Sequence, residues 1–531
     1  MDSMSGERVP ALIVGGAYTG LSTALGLAFR GIRPLLVERR ATTTSLPKAW
    51  GLNPRTAELL GTFPGMTAAL RDAQQDLRLP QVGSGVSLSA PNPVTVDLEA
   101  AIASMSEVTP AMANWLPQSA IEKIMRAASE DLGADLRFST ELVSFSQDAD
   151  GVTAMLRDVA GDREYTVTAD YLVAADGHAS PIRNSLGIEL KGGGKVGHLY
   201  VITFTADLSA YIDASRFAVF GIPGSGTSII SDGRGAHTLW VDYFPERGET
   251  GADFTEARCL ERVRHAIGIP DLACEIVNAR PFALHHQLAE RFRQGRVLLA
   301  GDAAHTCPPV GGQGGNLAIQ DGYDLAWRLA LVQSGQAGQG LLDTYTAERR
   351  PVINITLERE VALLDVADGR ILSTFDASQP VPTLQEILGF RYHSAAIRTE
   401  PGDDLSLQED PAEPTGRPGC RAPHVPLSQG ERLVSTHDLF GRGFVLLAGP
   451  DGVGWIDAAR NVADRLEIDL TTYRLGDDLD DSDQKWAASY GVAPDGASLV
   501  RPDAVIAWRS KTAAANPDVE LQDALTAILA R

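Results

Sequence analysis

The stretch from Arg296 to Asn316 restricts the fold more than any other part of the chain. Residues 297–300 predict a short buried strand, and Gly301-Asp302 then presents a carboxylate at the strand's C-terminal end, where α/β proteins bind ligands. Two prolines and four glycines within 308–315 predict a loop with little side-chain bulk. An amphipathic helix follows, and the positive end of its dipole faces that loop. The stretch therefore predicts an α/β ligand site with a hydroxyl acceptor beside a helix end that favours negative charge.

A second pattern of the same kind opens the chain. Residues 11–14 predict a short apolar strand, residues 15–20 (Gly-Gly-Ala-Tyr-Thr-Gly) a glycine turn, and the following residues a helix that ends near Arg30. Residues 34–37 predict a second strand, which ends at Glu38. Strand, glycine turn, helix, strand and acid in this order are typical of a Rossmann unit, which binds a dinucleotide.

Individual positions of the N-terminal pattern have separate physical roles. Gly15 allows the tight turn, Gly20 allows helix and strand to pack closely, and Glu38 can accept hydrogen bonds from an adenosine ribose. Ala17 stands where the Rossmann pattern has its second glycine, so its methyl group narrows the approach to a pyrophosphate. Asp302 can accept hydrogen bonds from a ribityl chain. The two halves together predict a site for a flavin dinucleotide.

Taken together, these motifs resemble the FAD-dependent aromatic hydroxylases of the para-hydroxybenzoate hydroxylase type, and within them the bacterial polyketide hydroxylases of anthracycline and angucycline pathways. The family's three fingerprints occur in order: the glycine turn with Glu38, the segment 171–183 with Asp176-Gly177, and Gly301-Asp302 with its loop. Further matches are residues 47–58, Gln118 and residues 342–349. The resemblance covers nearly the whole chain.

The resemblance implies an α/β fold with a Rossmann-type FAD-binding domain, an inserted β-sheet substrate domain and a thioredoxin-like C-terminal domain. We expect the FAD-binding domain in residues 1–185, with 76–104 contributing to the substrate domain, and its second part with connecting helices in 288–400. Residues 186–287, which contain four strand-like runs between 200 and 244, form the expected substrate domain. Residues 401–531 form the expected C-terminal domain, which lacks C-x-x-C and so cannot exchange thiols.

The resemblance also implies bound FAD, with NADPH or NADH as a transient reductant and O2 as co-substrate. No second Rossmann unit for the reductant is evident in the sequence. Lys48 stands where many relatives have arginine, which puts the choice between NADPH and NADH in doubt. The expected cofactor-binding residues are Gly15, Ala17, Gly20, Glu38, Arg39, Lys48, Gln118, Asp176, Asp302, Pro309, Gly314, Gly315 and Asn316. As an alternative role, Asp176 caps a helix and Arg183 pairs with it.

In the resembling family, the reduced flavin forms a C4a-hydroperoxide that passes oxygen to an electron-rich phenolic ring. Pro309 is expected to shape the oxygen pocket, and Arg391 to stabilise a phenolate as a catalytic residue. Alternatively, Arg391 ties the linker to the FAD domain, and His305 hydrogen-bonds backbone around its turn. The expected contacts to a polycyclic aromatic substrate are Phe217, Trp240, Tyr243 and Tyr392, although aromatic residues at such positions also serve as core packing.

Composition excludes several classes of partner. A net charge of −22 argues against nucleic acid and against anionic membranes, and no apolar run approaches membrane-spanning length. The start of the chain lacks the features of a signal peptide. The four cysteines are scattered without C-x-x-C spacing, so we expect a cytoplasmic protein without a metal site. Monomer and homodimer both stay open.

Three functions are compatible with these patterns. The first is hydroxylation of an aromatic polyketide, because both halves of the FAD site and a long C-terminal domain occur together. The second is a same-fold oxygenase that opens a ring by Baeyer–Villiger chemistry or inactivates an antibiotic. The third is a flavin reductase or a non-catalytic scaffold, against which the intact Pro308-Pro309 loop argues.

Overall fold

The computed structural model describes residues 7–44, 49–74, 78–213, 215–223, 225, 227–232, 235–367, 370–373 and 384–531, so Lys48 lies outside the described residues. The strands are β1 (Glu7–Val14), β2 (Leu35–Glu38), β3 (Trp50–Leu52), β4 (Arg78–Ser84), β5 (Val94–Thr95), β6 (Asn114–Pro117), β7 (Asp135–Phe138), β8 (Thr140–Gln147), β9 (Val152–Asp158), β10 (Arg163–Ala174), β11 (Leu190–Ala206), β12 (Arg216–Ile222), β13 (Thr227–Ser231), β14 (Ala236–Asp242), β15 (Cys274–Ala289), β16 (Arg293–Gln294), β17 (Val297–Leu299), β18 (His305–Thr306), β19 (Asp365–Ala367), β20 (Arg370–Ser373), β21 (Pro426–Gln429), β22 (Arg432–Ser435), β23 (Phe444–Ala448), β24 (Leu470–Arg474), β25 (Ala497–Val500) and β26 (Ile506–Ser510). The helices are α1 (Tyr18–Phe29), α2 (Pro54–Gly61), α3 (Met66–Ala73), α4 (Leu98–Met105), α5 (Gln118–Asp131), α6 (Pro181–Ser185), α7 (Glu256–Ile267), α8 (Gln313–Gln333), α9 (Asp343–Ala362), α10 (Leu384–Leu388), α11 (Val453–Leu466), α12 (Lys485–Tyr490) and α13 (Pro517–Ile528).

The first sheet joins segments that lie far apart in the sequence. Its strand order is β16-β17-β10-β1-β2-β7, with β9 and β8 paired beyond β10. The pairs β17–β10, β10–β1, β1–β2 and β2–β7 are all parallel. Val14 is in register with Ala174, and Ala174 with Leu299, so β1, β10 and β17 end together. The turns that follow these three strands therefore meet at one edge of the sheet.

The second sheet has the order β18-β15-β11-β14-β13-β12-β4-β5. It includes the four strand-like runs predicted between 200 and 244, which the structure confirms as β11 to β14. One face packs an apolar cluster against α7, with Tyr200, Ile202 and Phe204 among its members. Because side chains alternate along a strand, Val201 and its cross-strand partner Trp240 lie on the opposite face.

The third sheet, in the C-terminal part, has the order β24-β23-β25-β26. Parallel β23 and β24 are joined through α11, and an antiparallel hairpin and α13 follow. This is the strand–helix–strand and hairpin–helix arrangement expected of a thioredoxin-like domain. Its apolar core includes Trp327 of α8, so the domain packs directly on a helix of the first sheet's domain. No helix within the described part of the chain is long and apolar enough to cross a bilayer.

Candidate functional site

The turn after β1 brings two stretches of backbone into direct contact. Gly15 has a φ of +117°, and a Cβ built on it would lie 2.1 Å from the carbonyl oxygen of Ala175. A Cβ on Gly20 would lie 1.8 Å from the carbonyl oxygen of Gly15. Neither position can hold a side chain without displacing backbone, which explains both predicted glycines. The turn therefore leaves its N–H groups close to the neighbouring strand ends.

Glu38 ends β2 beside this turn. Its carboxylate accepts hydrogen bonds from the backbone N–H groups of Gly16, at 2.8 Å, and Arg40, at 2.9 Å. Arg39 is exposed next to it. Ala17 is the N-cap residue of α1, and no side chain caps that helix. The first-turn N–H groups of α1 thus point to the same strand edge without a side-chain acceptor, as an anion site requires.

The turn after β10 is held by two polar side chains. The Asp176 carboxylate accepts from the Ser180 hydroxyl, at 2.6 Å, and from the N–H of Ile182, at 3.1 Å. Burial raises the pKa of Asp176, although these hydrogen bonds act against it. Asp176 therefore does cap α6, but Arg183 donates to the carbonyl oxygens of His178 and Ala303 instead of pairing with it. Arg183 thereby ties this turn to the one after β17.

The turn after β17 is organised by Asp321, a residue of α8 that the sequence analysis did not single out. Its carboxylate accepts from the N–H of Gly301 at 3.0 Å, meets His305 Nε2 at 2.6 Å and accepts from Arg349 Nε at 2.8 Å. Although burial raises the pKa of Asp321, His305 and Arg349 lower it below its usual value. His305 thus contacts this carboxylate, a correction to the expected contact with backbone. Asp302 itself lies exposed at the strand end.

Residues 307–315, here called the glycine-rich loop, lead into α8. Gly311 and Gly312 have positive φ angles, and α8 begins at Gln313 with Gly312 as its N-cap and no capping side chain. A Cβ on Gly315 would lie 3.0 Å from the Ala49 Cβ and 3.2 Å from the Tyr18 ring. The absence of side chains therefore lets α8 begin close to the start of α1.

Asn316 and Gln118 fasten the segments that surround this loop. Asn316 Oδ1 accepts from the N–H of Asn53 at 2.8 Å, and Asn316 Nδ2 donates to the carbonyl oxygen of Gly312. Gln118 accepts from the N–H of Ala49 and donates to Glu122, at 2.6 Å. Pro309 lies in the loop, partly exposed. The expected cofactor residues in the described part of the chain thus lie around the ends of β1, β2, β10 and β17 or border the loop.

Three of the four expected substrate contacts belong to the second sheet or directly follow one of its strands, and they divide between its two faces. Phe217 stacks on Trp50 with ring centroids 4.5 Å apart, which joins β12 of the second sheet to β3 beside the first. Trp240 packs near Leu199 and Leu284 on the face away from α7. Tyr243 instead belongs to the cluster on the α7 side, where its ring lies 5.8 Å from Phe254. The alternative of core packing therefore describes Tyr243.

Arg391 and Tyr392 lie between the first domain and the C-terminal domain. The Arg391 guanidinium is fully buried, contacts Asp403 and donates to Asp404 at 3.0 Å. The Tyr392 hydroxyl accepts from Arg349, and its ring packs beside Val505. We therefore correct both assignments: Arg391 ties the linker, as the alternative had it, and Tyr392 is part of the domain interface.

These features fit FAD. The N-termini of α1 and α8 both lack a capping side chain, and they lie beside carboxylates at the ends of β2 and β17. Hydroxyl groups of a ribose or a ribityl chain can donate to Glu38 and Asp302, while the helix ends favour phosphate and an electron-rich ring edge. Asp321 and Trp50 were missed because their partners are distant in sequence.

Comparison with known proteins agrees with this geometry. Residues 8–360 match the family described as FAD binding domain, and residues 415–531 match the aromatic-ring hydroxylase C-terminal family. The chain is 40% identical to aklavinone 12-hydroxylase RdmE of Streptomyces purpurascens, with 99% of this chain and 100% of that protein covered. It is 39% identical to 4-methyl-5-nitrocatechol 5-monooxygenase of a Burkholderia species, with 99% and 98% covered. The crystal structure of aklavinone-11 hydroxylase in a ternary complex with FAD and aklavinone has a TM-score of 0.91 and 38% identity, with 99% of this chain and 100% of that one covered.

Proposed function

Since the chain belongs to the FAD-dependent aromatic-ring hydroxylases and is a flavoprotein monooxygenase, we propose that its substrate is a polycyclic aromatic polyketide, hydroxylated on an electron-rich ring. The single observation that carries this proposal is the aromatic face of the second sheet. There Phe217 stacks on Trp50 and Trp240 lies on the same side, away from α7. A flat fused-ring ligand offers such a face a large apolar contact. The similar aklavinone-11 hydroxylase was crystallised with aklavinone, a ligand of this class.

The residues that would hold FAD follow from the strand ends. The α1 N-terminus with Gly15 and Ala17 would hold the pyrophosphate, while Glu38 and Asp302 would accept hydrogen bonds from hydroxyl groups. Gly314, Gly315 and Asn316 at the start of α8 would favour negative charge on the adjoining ring. When bound, FAD supplies the transfer of one oxygen atom from O2 to the ring, with NADPH or NADH as the source of electrons. The chain's own residues position the ring and exclude water.

Arg183 and Pro309 would act on the shape of the FAD site. Arg183 holds the turns after β10 and β17 together by donating to the carbonyl oxygen of Ala303. The ring of Pro309 fixes φ and would thereby stiffen the glycine-rich loop beside the flavin. We assign the substrate domain to the second sheet and the FAD-binding domain to the first.

A smaller phenol is the second candidate substrate. The relative named 4-methyl-5-nitrocatechol 5-monooxygenase is 39% identical over nearly the whole chain, close to the 40% of the aklavinone 12-hydroxylase. The two identities therefore support a single-ring phenol and a fused-ring polyketide about equally.

The test is substrate-dependent oxidation of NADPH with parallel measurement of O2 uptake, using a panel of fused polyphenolic quinones and single-ring catechols. We expect one fused-ring compound to accelerate both rates equally, and NMR of the product to show a new hydroxyl on a ring carbon. Acceleration by a single-ring catechol alone would favour the second candidate. Ring-carbon NMR showing an inserted ring oxygen would establish Baeyer–Villiger chemistry, and rates unaffected by every compound would overturn the proposal.

A further inference from the structure

Glu360 is a buried acid that the proposed chemistry does not use. It lies in the last turn of α9, and only 2% of the residue is exposed. Neither oxygen of its carboxyl group has a hydrogen-bond partner among the described residues. A charged carboxylate without partners is strongly disfavoured in such a place. The C-terminal end of a helix dipole disfavours negative charge further.

The neighbours of Glu360 belong to the glycine-rich loop. The Cys307 thiol and the N–H of Gln313, the first residue of α8, are close enough to favour its charged form, but neither makes a hydrogen bond of ordinary geometry. Cys307 is itself packed on α8, because a Cβ on Gly314 would lie 3.1 Å from its sulfur. Glu360 therefore adjoins the loop at Cys307, where the loop begins, and at Gln313, where α8 begins.

Few charged groups near Glu360 counteract the rise in its pKa that burial causes. Arg359 on the same helix pairs with Glu386 of α10, and the negative charge of Asp302 acts on the Cys307 thiol. Burial together with Glu360 and Asp302 raises the pKa of Cys307 well above its usual value, so the thiol stays neutral. Burial raises the pKa of Glu360 to about 8, against the opposing effects of Cys307, Gln313 and Arg359. At neutral pH the carboxyl group is therefore protonated while the loop is closed.

We propose that Glu360 is a positioning residue whose proton is required for the glycine-rich loop to close on α9, so that FAD binding takes up a proton. The inference rests on the proposed function only in that the closed loop is the FAD-binding form. When the loop opens, water reaches the carboxyl group, which then ionises at an ordinary acidic pH. Closing the loop reverses that ionisation. A rise in pH toward 8 consequently opposes closure of the loop and weakens FAD binding. Above about pH 8 the affinity for FAD stops falling, because Glu360 then ionises in the closed form as well.

The sharpest test is calorimetric titration of FAD into the apoprotein at pH 7 in two buffers of different ionisation enthalpy. Wild-type protein should take up a proton on binding FAD, and its dissociation constant for FAD should rise by up to about tenfold per pH unit as the pH approaches 8. Glu360→Gln keeps a neutral side chain of the same shape, so it should bind FAD with no proton uptake and a flat pH profile. Glu358→Gln, at an exposed position of the same helix, should behave as wild type.

The outcomes separate this inference from the proposed function. No FAD binding by wild-type protein at any pH would defeat the proposed function. FAD binding with the same proton uptake in wild-type protein and Glu360→Gln would overturn the role of Glu360 alone. If Glu360→Gln binds no FAD, the wild-type protein decides: the rise in its Tm that a fixed FAD concentration produces must shrink as the pH goes from 5 to 8, and a rise independent of pH would refute the inference.

Discussion

Replacing Arg501 by methionine should loosen the C-terminal domain from the FAD-binding domain. Arg501 follows β25, is fully buried and donates to both oxygens of Glu348 on α9, at 2.7 and 2.8 Å. It also donates to both oxygens of Asp503, at 3.0 and 2.6 Å. Methionine retains much of the volume but none of the five N–H donors, so two buried carboxylates lose a shared cation.

The size of the effect follows from the composition of the cluster. Three buried carboxylates, those of Asp324, Glu348 and Asp503, lie within 4.8 Å of one another, and Arg328 and Arg501 are the arginines paired with them. Removing one partner of a buried pair costs about 3–5 kcal/mol, and here Asp503 would lose its paired arginine while Glu348 would keep Arg328 alone. For a protein of 531 residues, that corresponds to a fall in Tm of roughly 3–5 °C.

The pH dependence of the stability difference between wild type and Arg501→Met provides a second test of these ion pairs. Burial raises the pKa values of Glu348 and Asp503, but the neighbouring arginines outweigh this effect and lower both values below their usual range. Carboxylates of this kind stabilise the fold above their unfolded pKa, and that stabilisation is lost as the pH falls through the folded value. Without Arg501 this contribution disappears, so the difference between wild type and variant should be largest near pH 7 and shrink as the pH falls below about 4 toward the folded pKa of Asp503, about 2.

Differential scanning fluorimetry of both proteins across this pH range measures the difference, and limited proteolysis in the linker around residues 400–415 reports undocking. The matched control is Arg460→Met, which removes an exposed ion pair on α11 and should change the unfolding free energy by less than about 0.5 kcal/mol. A wild-type Tm at pH 7 for Arg501→Met would refute the reasoning, because it would mean that the buried carboxylates do not need their arginine.

Three further predictions concern the candidate site. Asp302→Ala should lower FAD occupancy, measured as the ratio of flavin to protein absorbance, while circular dichroism stays unchanged because the side chain is exposed; a fully yellow variant would contradict its role. Asp321→Asn should lower Tm by an amount equivalent to about 3–5 kcal/mol, since it leaves Arg349 buried without its carboxylate; an unchanged Tm would argue against this pairing. Trp240→Ala should raise the KM for a fused-ring substrate more than kcat changes, whereas Tyr243→Phe, on the opposite face, should leave both unchanged; equal effects would contradict the assignment of faces.

The local motifs could be predicted from the sequence because each depends on neighbouring residues. The glycine turn at Gly15, the acid at Glu38 and the Gly301-Asp302 turn are short patterns dictated by backbone geometry. Alternation along β14 also separates Trp240 from Tyr243, but the sequence does not state which face is covered by α7. The alternating pattern of a strand thus divides its residues between two faces of the sheet, but it does not tell which face would contact a ligand.

Contacts between distant segments could not be predicted in the same way. Asp321 is one of two acids on α8, and only the fold brings it to Gly301, His305 and Arg349. Arg391 has a positive charge suited to a phenolate, yet it is enclosed by acids from the linker that follows it. Charge and residue type indicate which chemistry is available, while burial decides whether a ligand can reach it.

The register of β1, β10 and β17 also dictates when the protein can acquire its cofactor during synthesis. The third of these strands, β17, ends at Leu299, and the uncapped start of α8 follows at Gln313. More than half of the chain must therefore be synthesised before every segment of the FAD site is present. Strands β1 and β10 are made before β17, which completes their shared edge. The ion pair between Glu348 and Arg501 forms later still, because Arg501 lies near the C-terminal end of the sequence. We accordingly expect nascent chains that end before α8 to bind no FAD, whereas the interface with the last domain forms only after Arg501 has been synthesised.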